Sequence, residues 1–413
     1  MNRSHRFSWL FLLVALLVFA FACSGSGPAV TITVQVEATP AADDDDNDND
    51  NDDNDAADDD DDDNDDDNDD TTTDDDASPP DDDDNDDTSP IDDDTSPDDD
   101  TVEDQHWRVE DSQTTGQLYA VFGLSPSHVV AVGVGLGSSP HHHPNPPQRV
   151  TVENWNGGVW SPTYDDAQYY LQGVWVAPDG SAYAVGRVGV GNQAAGVVLT
   201  TTNGSDWNIG YNGSIALYAI SGISTTQIWA TGDNGMVVAI DNGQWSPWSA
   251  PLASGSDMYG MWASSNWSFS VAGFDPQIGL GVIGVYNSTW EDVSARMNSI
   301  WGTPDGEFFA VGEVAPETGA ASIYRCNYDG YGGWTWSVME NDCPVALSSV
   351  SGTAANDVFA VGCDTIMHYD GVAWTRKEIP VNFLACLYGV WADPVSKEAF
   401  AVGDAGLILH YTP

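Results

Sequence analysis

Few residues in this 413-residue chain have types and spacings that could do chemistry. His141, His142 and His143 stand together in a Pro-rich insertion, 138–148, and three imidazoles could bind a transition metal. The alternative for them is a loop tip stiffened by Pro140, Pro144, Pro146 and Pro147. His368 and His410 occupy the same register of a repeat described below, which marks scaffold rather than ligand. Beyond Cys23 there are Cys326, Cys343, Cys363 and Cys386. In an exported chain these favour disulfides, and the most local pairing is Cys326–Cys343 with Cys363–Cys386. One bridge with two buried thiols is the alternative. No Cys-x-x-Cys pair exists to hold zinc, and there is no Gly-x-Ser-x-Gly, phosphate-cradling Gly loop or His-Glu-x-x-His. No spacing singles out a pair of catalytic carboxylates. The expectation is a protein without cofactor and without enzymatic activity.

Charge narrows the partners. Acidic residues number 65 against ten basic ones, and 27 of the acids fall from Gln105 onward, where only eight Lys and Arg are found. That stretch therefore carries a formal charge of −19. Nucleic acid is excluded, because a phosphate-binding surface needs clustered cations and the only lysines are Lys377 and Lys397.

Three zones position these residues. The first, 1–22, has Arg3 and Arg6 ahead of an apolar run, 7–22, with small residues following, as in an export signal. An uncleaved anchor is the alternative, although the run is short of the roughly 20 residues of a span. Ala20-Phe21-Ala22-Cys23 resembles a bacterial lipobox, in which the Cys is acylated and becomes the first mature residue. That resemblance implies lipidation at Cys23, and Ser24 implies sorting to an outer membrane and the cell surface. Ala20 and Phe21 depart from the usual pattern, and ordinary cleavage would leave a secreted protein. The second zone, 23–104, becomes almost pure Asp with Asn, Thr, Ser and Pro from Asp43 onward. It lacks the apolar content needed to offset chain entropy and is expected to be a disordered tether. Calcium loops of the EF type are not expected, because no Gly lies between Gly27 and Gly116.

The third zone, 105–413, is a repeat. A short strand ending in Ala-Val-Gly or a near variant recurs at Gly133, Gly186, Gly232, Gly273, Gly312, Gly362 and Gly403, a mean spacing of 45 residues. Each unit runs as a first strand such as Leu387-Tyr388-Gly389-Val390-Trp391, the Ala-Val-Gly strand, a third strand, and a fourth carrying a Trp. The fourth-strand residues are Trp160, Trp207, Trp245, Trp290, Trp334 or Trp336, and Trp374. Strands this short bury their faces only by stacking sheet on sheet. The last unit lacks its fourth strand, and Gln105-His106-Trp107-Arg108-Val109 stands spare at the other end. The predicted fold is all-β: a seven-bladed β-propeller closed by pairing of the N- and C-terminal strands. An open solenoid competes, but solenoids need caps and this chain has complementary ends.

Val358-Phe359-Ala360-Val361-Gly362 with Ile366-Met367-His368-Tyr369-Asp370-Gly371-Val372-Ala373-Trp374 resembles repeats of bacterial surface lipoproteins with Asp-rich linkers. Those repeats are related to BNR and photosystem II assembly-factor-like propellers. Thr202-Asn203-Gly204-Ser205-Asp206-Trp207 looks like a degenerate Asp-box, the turn motif of BNR propellers including sialidases. The resemblance implies fold and surface location. It also raises a glycoside hydrolase or an assembly factor for a membrane complex as alternatives. Sialidase chemistry needs converging arginines, and the six from Arg108 to Arg376 show no such motif. The Asp of an Asp-box is a turn residue.

Turns between second and third strands are long in units one, two, four and five and short in the rest. In a propeller these turns share one face with the inter-blade connections. Tyr164, Tyr169, Tyr170, Arg187 and Phe274 are the candidates for a recognition face there. The expected protein is a monomeric, membrane-anchored, non-enzymatic module binding an extracellular protein or glycan, through the loop face or the central channel.

Overall fold

The computed structural model describes residues 107–413, apart from 137–147, 165–168, 189–194, 242, 249–254, 265–267, 287, 289, 329–332 and 382–383. Cys23, the tether and His141–His143 lie outside the described residues. The protein is a seven-bladed β-propeller. Among the described residues, 28 strands form seven four-stranded sheets, each an antiparallel meander. Blade 1 spans 117–164, blade 2 169–212, blade 3 217–247, blade 4 257–293, blade 5 297–338 and blade 6 347–377. Blade 7 takes three strands from 387–411 and its fourth from the other end of the chain. Trp107–Glu110 pairs with Ile408–Tyr411, Trp107 lying opposite Tyr411 and Glu110 opposite Ile408.

The core is divided among seven apolar layers, one between each adjacent pair of blades, including the pair 7 and 1. The Ala-Val positions of the second strands supply their middles, as Ala360 and Val361 do on opposite sides of blade 6. Tryptophans widen the layers toward the rim. Trp107, Trp160, Trp207, Trp336 and Trp374 are buried, and Trp107 meets Phe359 of blade 6 edge-on at 5.7 Å. In blade 5 the core residue is Trp336, whereas Trp290 of blade 4 stands at the surface.

Polar residues that looked chemical are scaffold. His368 stacks on Phe359 at 4.5 Å and meets Asp357 at 2.8 Å. His410 repeats this on Phe400 at 4.0 Å, with Glu398 at 2.7 Å. Arg325 takes the equivalent place in blade 5, cross-strand from Phe309 and 2.7 Å from Glu307. In the Asp-box-like turn, Asn203 Oδ1 accepts from the backbone N–H groups of Ser205 and Asp206. Asn203 Nδ2 donates to Asp206 at 2.7 Å, and Gly204 holds φ of +76°.

Cys363 and Cys386 are joined, stapling blade 6 to blade 7. The pairing Cys326–Cys343 is overturned: both are free, buried thiols. Cys326 lies in the layer between blades 4 and 5 and Cys343 in the layer between blades 5 and 6. A whole sheet separates them, although only 17 residues do so along the chain.

Candidate functional site

The first strand of every blade lines the central axis, and every one carries a β-bulge at the same place. Pairing with the second strand skips one residue between Leu118 and Ala120, Leu171 and Gly173, Leu217 and Ala219, and Met258 and Gly260. It does so again between Met297 and Ser299, Leu347 and Ser349, and Leu387 and Gly389. A bulge leaves one residue unpaired and re-aims its side chain. The seven residues so placed are Tyr119, Gln172, Tyr218, Tyr259, Asn298, Ser348 and Tyr388, and each lines a shared cavity.

The repeat glycine explains the bulge. A Cβ on Gly133, Gly232 or Gly403 would come within 1.8 to 2.1 Å of the carbonyl oxygen of Gln117, Ala216 or Cys386. The bulged strand lies too close for any side chain there. The same close approach recurs at the other four repeat glycines. The motif that marks the blades thus also sets the residues at the axis.

The cavity these residues line has a volume of about 440 Å³. It opens on the face of the second-to-third-strand turns, whose Asp233 and Asp404 bond two of its lining tyrosines. Tyr218 donates to Asp233 at 2.5 Å and Tyr388 to Asp404 at 2.8 Å. Asp404 also accepts from Gln117 Nε2 and the Cys386 N–H. Asp257 accepts from the Asn234 N–H at 3.0 Å. Tyr119 is flanked by Tyr170 at 5.0 Å and Tyr388 at 5.2 Å, and Tyr218 by Tyr259 at 5.3 Å. Arg296 lies 3.9 Å above the Tyr259 ring and Arg187 4.7 Å above that of Tyr170.

Electrostatics keep the tyrosines as neutral donors. Burial first, then the bond to Asp404, pushes Tyr388 up to about 12. Burial, with Asp233 beside it, raises Tyr218 further, and burial with Tyr170 does the same for Tyr119. Asp233 is itself raised by burial and by the like charge of Asp257, against the lowering effects of the Tyr218 hydroxyl and Arg187. Three buried polar atoms at this mouth have no partner among the described residues: Arg187 Nε, Arg296 Nε and Gln172 Oε1.

Of the residues expected on the recognition face, the structure brings Tyr170 and Arg187 to this mouth. Tyr164 and Tyr169 pack against the layer between blades 1 and 2. Phe274 is half-buried on the second strand of blade 4, opposite Asp257. Tyr119, Tyr218, Tyr259, Tyr388, Gln172 and Arg296 escaped the sequence reading. A signal for five of them existed, since each directly follows the Leu or Met near the start of a first strand.

No family model matches the sequence, and no curated protein matches it. Solved structures do. A structure described as YCF48 bound to D1 peptide is 17% identical, with a TM-score of 0.52, covering 74% of this chain and 95% of that one. YCF48 from Cyanidioschyzon merolae is 14% identical, with a TM-score of 0.52, 74% of this chain and 98% of that one being covered. The WD40 propeller domain of Doa1 is 11% identical, again with a TM-score of 0.52, and covers 74% and 97%. The likeness is one of fold.

Proposed function

We propose that this propeller is a non-catalytic binding module that seats a polypeptide segment at the tyrosine-ringed mouth. The observation that carries this reading is the set of buried, unpartnered polar atoms there, on Arg187, Arg296 and Gln172. Leaving such atoms unmet costs about 1–3 kcal/mol each, a penalty that an incoming carbonyl, carboxylate or amide would relieve. Tyrosines and arginines in a desolvated pocket are the usual anchors of protein recognition. The YCF48 structure bound to a peptide shows a propeller of this fold holding such a ligand, which supports the reading by analogy.

A polypeptide is favoured over a glycan. Sugars stack on open aromatic faces, but here Tyr119 is flanked by two rings and Tyr259 is capped by Arg296. The Nε groups of Arg187 and Arg296 and the Oε1 of Gln172 remain for a partner. A hydrolase is disfavoured because Asp233, Asp257 and Asp404 already accept hydrogen bonds from tyrosines or backbone N–H groups. The same proposal places the module at the cell surface, lipid-anchored through Cys23 on the acidic tether.

The test is an array of overlapping peptides beside a glycan array, probed with the full chain and with an Arg187→Ala/Arg296→Ala variant. Peptide capture that drops at least ten-fold in the variant is expected. Silence on both arrays, or capture indifferent to the two arginines, would sink the reading. Loss of labelled fatty acid in a Cys23→Ser chain tests the anchor separately.

A further inference from the structure

The other mouth of the channel carries a second site. Four residues after the Leu or Met that precedes each bulge, Trp175, Trp301 and Trp391 form the floor of a bowl of about 620 Å³, with Trp262 and Phe122 beside them. These rings are held rigidly. A Cβ on Gly123 would meet the Trp391 ring at 2.6 Å, one on Gly222 the Trp175 ring at 2.9 Å and one on Gly352 the Trp301 ring at 2.8 Å. Around the floor runs an apolar rim that solvent reaches. Leu124 is 42% exposed and Val395 88%, and Pro178, Pro304 and Pro394 line the same edge. Rigid, preformed apolar concavities with exposed rims are binding features.

The charge on this mouth selects the occupant. Asp305, Glu307 and Asp393 line it; Arg325 pairs with Glu307 at 2.7 Å, Lys397 donates to the lining Thr353 at 2.9 Å and Asp393 is buried, so Asp305 is the exposed carboxylate of this lining. Asp179 stands exposed in the blade 2 turn equivalent to that of Asp305. The chain's own segment 43–104 is rich in Asp and has no Lys or Arg, so its charge has the same sign as the rim. A second copy would bring the same acidic rim and a formal charge of −19 on 105–413. We infer that this bowl docks a partner polypeptide presenting aromatic or branched apolar side chains between Lys or Arg residues. The apolar anchors fill the bowl, and the cations face Asp305 and Asp179. The propeller then has two separate binding faces, one per mouth.

Rhodamine-labelled heptapeptides test this by fluorescence anisotropy on the full chain. One has a Leu-Trp-Leu centre flanked by paired Lys and Arg; a second has the same centre flanked by Glu; a third keeps the cations around a Ser centre. The third measures attraction to the tether alone. The first is expected to bind at least ten-fold tighter than either other peptide. A Leu124→Ser/Val395→Ser variant, changed only at exposed rim positions, should reduce the first to the level of the third. Arg187→Ala/Arg296→Ala, at the opposite mouth, should leave it unchanged, so this outcome is independent of the peptide reading above. Equal binding of the Glu-flanked peptide would make the bowl a charge-blind apolar site. No advantage over the Ser-centred peptide, or indifference to the rim variant, would also overturn the inference.

Discussion

The two mouths of the channel are made by the same seven strands, yet one is ringed with tyrosine, arginine and aspartate and the other is floored with tryptophan. Only three positions separate the two sets of side chains, as Tyr388 and Trp391 show. At the start of each strand the bulge turns a side chain toward the axis, beside turns that supply Asp233 and Asp404. Three residues on, the strand is paired again, and the residue there must fill the gap to the next blade; blades 1, 3 and 6 carry a second register shift beyond it, at Leu124, Ile223 and Thr353. Where that residue is not aromatic it is serine, and its hydroxyl accepts a backbone N–H of the next blade. Ser221 does so from Ala263 at 2.9 Å and Ser351 from Ala392 at 3.1 Å. The lesson is that a bulge common to all seven blades makes the polar mouth, whereas packing demand at paired positions makes the floor of the apolar one. Chemistry at the first should therefore be tolerant of substitution, and chemistry at the second should be tied to stability.

The largest effect expected is at the hinge of this contrast. Gly232→Val places a side chain 1.8 Å from the Ala216 carbonyl oxygen, so the bulge must go or the blade must open. A loss of about 4 kcal/mol or more is expected in chemical denaturation. A mild effect would show that the bulge is not what the glycine protects. Trp301→Ala, in the bowl, should cost about 3–5 kcal/mol through the cavity it leaves, with mouth binding retained in whatever folds.

Cys363→Ser probes the polar face. Its bridge closes 23 residues and is worth about 3 kcal/mol by chain entropy. The loss should loosen the mouth, because the Cys386 N–H is one of the groups that hold Asp404. A melting point unmoved by reductant would contradict this.

Glu153 is a reference away from both mouths. It is fully buried, with neither carboxylate oxygen partnered among the described residues, and burial pushes it up to about 8. The folded state then holds a proton that the unfolded chain releases near 4.5, so stability falls as pH rises from about 4.5 to 8 and levels off above. Glu153→Gln should recover about 3 kcal/mol at pH 7 and almost nothing near pH 4.5. A gain independent of pH would refute the buried carboxyl that keeps its proton in the folded state. The smallest effect belongs to Tyr388→Phe, about 1 kcal/mol or less, because Asp404 keeps its bonds to Gln117 and the Cys386 N–H. Ligand binding at that mouth should weaken all the same, and a stability loss as large as that of Trp301→Ala would erase the distinction between the two ends.

The chain order of residues was enough to number the blades. Ala-Val-Gly or a near variant recurring seven times, and Trp107 standing spare while the last unit lacked its fourth strand, determine a closed seven-bladed ring. These are local patterns with a fixed period, and the need to cover short sheets leaves little choice in how they assemble. The same periodicity correctly assigns His368 and His410 to scaffold. What the tertiary structure alone decided is which residues meet. Cys326 and Cys343 are near in sequence but on opposite faces of one sheet, and spacing carries no record of a face. Tyr119, Tyr218, Tyr259 and Tyr388 come from four blades and gather only because each strand bulges at the axis. A bulge is one unpaired residue in a strand, and it becomes visible only when its partner strand is in place.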